Sequence, residues 1–352
     1  MREVKIGGYT IGKGHPVRVV AELGICHRGD VELALDMAAA ATEAGADFVK
    51  FEMYELENVI TEPYRKDNTI SFGTLKDGEV TENLYQAYVD GFISYKDAAK
   101  IMNFVGSKNV PYFATVTSID GAKFLMDNGA CGVKLSSGEI DHIPLIRYCG
   151  ENKIPAFIDS AKTYMWEVIR AVEEYELAGG KDVIVMQNPA GYPAPADLID
   201  LDRISRLEAA LDIPQGYTDH SPGRNSIMAA IGKGALVIEK PISPDKTRPY
   251  VEYAFSENLE DLADFIHEVR EIDIARGEGR RLWSLEDMAA NRLNRHGVVV
   301  AANLSAGHVL QEADLKVARP GYGIRAEYVS DLVGKVLRKD MSVGEALDWD
   351  AI

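Results

Sequence analysis

Eight short apolar runs are spaced along residues 17 to 242, and nearly every one carries polar or charged residues toward its end. They are VRVVAELG (17–24), DFVKFEM (47–53), YFATVT (112–117), GVKLSS (132–137), AFIDSA (156–161), VIVMQN (183–188), GYTDH (216–220) and LVIEKPI (236–242). Apolar strands alternating with helical stretches are the pattern of a parallel sheet covered by helices. Eight is the number that closes a (β/α)8 barrel. Helical patterns such as VELALDMAAAATEAGA (31–46), SIDGAKFLMDNGA (118–130) and TYMWEVIRAVEEYELAGG (163–180) lie between the runs, several ending in glycine as helix C-termini do. The expectation is an α/β protein with a TIM barrel over residues 1–275.

The charged segment RGEGRRLWSLEDMAANR (276–292) reads as a linker. Residues 293–352 carry β-like runs (GVVVAANL, LKVARP, VGKVLRKD) punctuated by glycine, which predicts a small, mostly-β second domain. So small a module suits covering a site or mediating assembly.

The net charge of −17 excludes nucleic acid and anionic membrane as partners, because both need a basic surface to displace counterions. A local basic pocket for a small anion stays compatible with it. No apolar run reaches the roughly 20 residues of a membrane span, and the N-terminal residues lack a leader-like apolar core, so a cytoplasmic location is expected. Cys26, Cys131 and Cys149 are irregularly spaced and read as reduced thiols.

The polar strand ends are Glu22, Lys50, Glu52, Thr115, Lys134, Ser137, Asp159, Asp219, His220, Glu239 and Lys240. In a closed barrel they converge on one rim, where active sites of this fold lie. A buried strand must turn polar where it surfaces. A set that mixes carboxylates, ammonium groups and an imidazole nevertheless points to chemistry.

The runs AELGICHRGDVELALDMAAAATEAGADFVKFE, KLSSGEIDHIPLI, GYTDHSPG and ARPGYGI...LVGKVLRKD resemble the sialic acid synthase family, with its C-terminal antifreeze-like (SAF) domain, over nearly the whole chain. The resemblance implies condensation of phosphoenolpyruvate with an aldose such as N-acetylmannosamine. It implies that Glu22 stands near the reacting carbonyl and the attacking water. By the same resemblance Lys50 and Lys134 hold phosphoenolpyruvate beside Thr115 and Ser137, and Glu139 contacts sugar hydroxyls. Thr218, Asp219 and His220 match a run whose histidine binds a divalent metal, manganese or magnesium. Arg319 matches an arginine that reaches the neighbouring subunit's site in a homodimer with exchanged C-terminal domains. Phosphate and carboxylate need cations and donors, and a metal polarises an aldehyde as a Lewis acid.

Several positions depart from that pattern. The family's last barrel strand ends in a histidine, the second metal ligand, where this chain has Pro241, which carries no donor atom. A Ser-Thr-Gly run is replaced by Asp159, Ser160 and Ala161, putting a carboxylate where a phosphate-binding hydroxyl is expected. Glu52 replaces a glutamine, Cys26 an asparagine, and MQNPAGYPAP a run of threonine, serine or asparagine ahead of Tyr-Pro. Lys162 is either a Schiff-base lysine that replaces the metal as electron sink or a surface residue opening the next helix. His27 is either the missing ligand or a hydrogen-bonding residue. Cys26 is a thiolate ligand or an apolar filler, and Tyr192 and Tyr217 either line the pocket or fill the core. These departures keep open a metal-independent aldolase or lyase on the same barrel, another sugar-acid enzyme, and a non-catalytic sugar-binding homologue.

Overall fold

A computed structural model describes residues 1–65, 71–74, 81–277 and 283–352. Two compact units divide the chain, Met1–Glu278 and Gly279–Ile352. In the first, eight parallel strands are β1 (Arg18–Glu22), β2 (Phe48–Met53), β3 (Tyr112–Val116), β4 (Val133–Leu135), β5 (Ala156–Asp159), β6 (Val183–Gln187), β7 (Gln215–Thr218) and β8 (Val237–Ser243). Each pairs with the next, and β8 pairs with both β7 and β1, so the sheet closes on itself as a TIM barrel. The sequence places every strand within about two residues.

Helices follow the strands because apolar residues recur at helical spacing between polar ones. The helix α1 (Val31–Glu43) buries Ala34, Met37, Ala38 and Ala41 against the sheet; the Asp30 side chain accepts from two backbone N–H groups of its first turn. It ends at Gly45, whose φ of +85° is open to glycine without steric cost. The helices Asn225–Gly232 and Leu262–Arg276 complete the layer after β7 and β8.

Side chains alternate across each strand. Outward residues such as Val19, Val49, Ala114, Ile158, Val185, Tyr217 and Ile238 join the helices in the larger core. Inward residues Val20, Phe48, Phe113, Phe157, Ile184, Met186 and Val237 form a second core inside the barrel. An N-terminal hairpin, Val4–Ile6 with Tyr9–Ile11, adds Val4, Ile6 and Ile11 to that inner cluster and stoppers the N-terminal end.

The second unit has its own core of Val298, Val300, Leu310, Ile324, Leu332, Leu337, Met341 and Leu347 around an antiparallel pair, Gly297–Val300 with Leu315–Ala318. Its remaining backbone is turns and short bridges. The segment expected as a linker contains a helix, Leu285–Asn294, because Ser284 and Asp287 form a capping box at its start. Arg319 follows the second strand of the pair and is exposed.

Candidate active site

Above the inner apolar layer, the same alternation turns a second layer inward: Glu22, Lys50, Glu52, Thr115, Lys134, Asp159, Asn188, Thr218, His220 and Glu239. Most of these line a cavity of about 610 Å³. Glu239, Asp159, Lys50 and Lys134 are each no more than 3% exposed, a degree of burial such groups tolerate only when paired.

Lys50 donates to Glu22, to Glu52 at 3.2 Å and to Glu239 at 3.4 Å. Thr115 donates to the same Glu52 oxygen at 3.1 Å. Lys134 donates to Glu239 and to Thr218 at 3.1 Å, and stands 3.3 Å from Asp159. Burial works to lower both ammonium groups, yet the carboxylates hold them above the usual lysine range. Four carboxylates thus share two lysines. Among the described residues, the buried polar atoms lacking a partner include Glu22 Oε2, Glu239 Oε2, Asn188 Oδ1 and His220 Nδ1, all in this layer. Buried unsatisfied groups collected in one cavity mark a ligand site.

His220 packs against Tyr192, with ring centroids 4.5 Å apart, and against Phe255 at 5.2 Å. Burial pulls its imidazole down to about 3, with Lys134 adding to the effect against Asp159. A neutral imidazole is a competent metal ligand. Pro241, however, pairs in register with Glu22 and shares the inward parity of Val237 and Glu239. Among the described residues, no group of three or more histidine, cysteine or carboxylate side chains is arranged to hold a metal. The residues present do not reproduce a two-imidazole site.

At the mouth, Ser137 and Glu139 lie on a short 3-10 turn after β4, where Ser136 donates to Glu139. Burial, reinforced by Glu52, Asp141 and Asp159 against the Ser136 bond, pushes the Glu139 carboxyl up to about 7. Lys162 lines the cavity in a left-handed turn, φ +53°, with its Nζ 5.4 Å from the Tyr192 ring centroid. It does not open the following helix, which starts at Met165 with Tyr164 as N-cap.

The sequence reading passed over Asn188, Glu252, Tyr54 and Tyr88, which also line the cavity. Asn188 was legible as the inward position after Ile184 and Met186. Glu252 lies in a turn after β8, where no strand pattern announces it. Its carboxylate accepts from the Ile25 N–H at 3.1 Å, and its other oxygen packs over Gly24 so closely that a Cβ there would sit 2.0 Å from it. Burial drives the Glu252 carboxyl well above the usual range, with Glu22 and Glu52 adding to it.

Four expected site residues are turned away. Asp219 faces the helix layer, where it accepts from Tyr217, from Ser221 and Ser226, and from Lys240 at 2.6 Å. Lys240 also donates to the carbonyls of Ser221 and Gly223. Their parity is opposite to that of Thr218 and Glu239, so the pair holds the strand ends rather than contacting the cavity. Ser160 is buried with its hydroxyl on Gln187 at 2.9 Å. His27 is buried off the cavity lining: its Nδ1 accepts from Gly29 at 3.1 Å and its ring also bonds the Gly24 backbone, so it serves the loop. Cys26 is a core filler whose thiol burial pushes up. Tyr192 lines the cavity and Tyr217 packs in the outer core.

The chain matches the NeuB family over residues 37–281 and the SAF domain over residues 295–352. It is 26% identical over 343 residues to the N,N'-diacetyllegionaminic acid synthase of Legionella pneumophila, covering 95% of this chain and 94% of that one. It is 27% identical to the human N-acetylneuraminate-9-phosphate synthase, covering 93% and 90% respectively. A solved N-acetylneuraminic acid synthetase from Leptospira borgpetersenii superposes with a TM-score of 0.72 at 24% identity, over 82% of this chain and 95% of that one, which shows a shared fold. With the NeuB model matched over most of the barrel unit and the SAF domain following it, the chain belongs to the NeuB family.

Proposed function

We propose that this NeuB-family enzyme condenses phosphoenolpyruvate with an aldehyde sugar to give a 3-deoxy-2-ulosonic acid and inorganic phosphate. The donor's C3 forms the bond to the aldehyde carbon, water adds at C2, and the C2–O bond to phosphate breaks. The observation that carries the reading is the pair of buried lysines, Lys50 and Lys134, set beside Glu22, whose second carboxylate oxygen lacks a partner.

In this reading the lysines exchange carboxylate partners for the donor's phosphate and carboxylate, with Thr115, Thr218 and Ser137 as added donors. Glu22 orients the attacking water. Glu139, protonated in part at neutral pH, donates to the aldehyde oxygen as it gains charge. A metal, when bound, would act as a Lewis acid beside His220, but the single imidazole does not carry a step here. A cytoplasmic homodimer in which Arg319 serves a neighbouring site belongs to the same reading. Phosphate release from phosphoenolpyruvate, assayed over a panel of aldoses with and without manganese, tests it; no release with any aldose overturns it.

Pro241 and Asp159 favour a second reading, a metal-independent lyase that forms or cleaves a carbon–carbon bond on the same barrel. Cleavage of ulosonic acids to pyruvate without phosphate would select it.

A further inference from the structure

We infer that Lys162 holds an anionic group of the donor at the mouth of the cavity, offsetting the charge that Asp159 adds below; this rests on phosphoenolpyruvate being the donor. Phosphoenolpyruvate carries about three negative charges at neutral pH, from a phosphate ester and a carboxylate. The deep layer meets it with four carboxylates around two ammonium groups. Asp159 is fixed there by three donors. The Ala161 N–H bonds one oxygen at 2.8 Å, while the Asn188 amide at 2.7 Å and Lys134 at 3.3 Å engage the other. Two of these donors do not depend on the lysines, and the third is a lysine the donor needs. The deep layer on its own therefore offers a trianion only two ammonium groups, both already shared among four carboxylates.

Lys162 stands on the same strand-to-helix connection, three residues on from Asp159. It lines the cavity, and the described residues place no carboxylate in ion-pair range of its ammonium. Its ammonium lies 5.4 Å from the centroid of the Tyr192 ring, and that ring also packs on His220, so one aromatic side chain touches both the mouth lysine and the inward imidazole. A lysine at φ +53° is uncommon and costs of order 1 kcal/mol, a conformation that glycine would take more readily. The cavity thus gains one cation at its mouth on the connection where it gains one anion at its base.

The test measures the KM and the calorimetric Kd for phosphoenolpyruvate in the full-length enzyme. Lys162→Met is expected to weaken both about tenfold, with the acceptor KM and kcat within about twofold, while Lys162→Arg keeps most of the affinity. Asp159→Ser should tighten donor binding, and Lys162→Met made in that background should again cost about tenfold, since the two charges act on the donor and not on each other. Equal donor affinity in wild type and Lys162→Met, or a loss confined to the acceptor, overturns the inference and leaves the reaction standing. A borohydride-trapped adduct at Lys162 overturns it in favour of covalent chemistry. A wild-type enzyme that neither binds nor turns over phosphoenolpyruvate removes the donor assignment itself, and the inference with it.

Discussion

Pro241 pairs in register with Glu22 across β8 and β1, two residues beyond Glu239, just as His220 lies two residues beyond Thr218, the partner of Glu239 on β7. A side chain at 241 therefore enters the cavity at the level of His220 and Glu22. Pro241→His is expected to raise manganese affinity at least about tenfold, since a second imidazole joins the first. Metal content of the purified variant and calorimetric titration check this. Unchanged affinity would place residue 241 outside the cavity.

Asp219 and Lys240 form a buried pair on the outer face of the strand ends. Asp219→Asn leaves the Lys240 ammonium without its counter-charge, and burial already pulls that ammonium down. Losing one partner of such a pair costs about 3–5 kcal/mol. Denaturant unfolding should show that loss, while the KM values at a temperature where the variant is folded stay within about threefold. A kcat loss of a thousandfold or more in folded protein would assign Asp219 to the chemistry.

Glu139 carries a carboxyl lifted from 4.5 to about 7. Its protonated form is the one the folded chain favours, so its contribution to stability is complete below about 4.5 and is lost as pH rises through about 7. If it donates to the aldehyde, kcat should fall above about pH 7. Glu139→Gln should flatten that limb and lower kcat by about 10²- to 10⁴-fold. A pH profile with the limb intact in the variant would assign the titration to another group.

His220 works in the opposite direction. Its folded value lies near 3 against 6.5 unfolded, so the stability it contributes is present above about 6.5 and is lost as pH falls toward 3. The lowered imidazole of His27, near 4, adds to that loss. Unfolding free energy should decline from pH 6.5 to 4 by up to about 1.4 kcal/mol per unit for each histidine. His220→Phe should make the decline shallower, and an identical slope would mean that His220 is protonated in the folded state.

The barrel was legible because each strand is a short apolar run bounded by turn residues, a signal that tolerates errors of two residues at its ends. Which side chains enter the cavity does not tolerate them, since a shift of one position reverses the face. Glu22, Lys50, Lys134 and Glu239 enter the barrel interior because each falls at the inward parity of its strand. Asp219, Lys240 and Ser160 sit directly beside inward residues, so reading strand ends as undivided polar clusters swept them in. Parity would also have found Asn188. Glu252 is held by its bond to Ile25 and by the absence of a side chain at Gly24, contacts between segments more than 200 residues apart that no local pattern records.

The hairpin of residues 4–11 buries Val4, Ile6 and Ile11 against the phenylalanines beneath the lysines, so that among the described residues the N-terminal end of the barrel is closed and the cavity lies toward the C-terminal ends of the strands. Arrival and departure then both fall to that other end. A molecule seated on Lys50 and Lys134 would then lie between that stopper and whatever occupies the mouth above it, so the architecture favours a sequence in its traffic: deepest guest first in, last out.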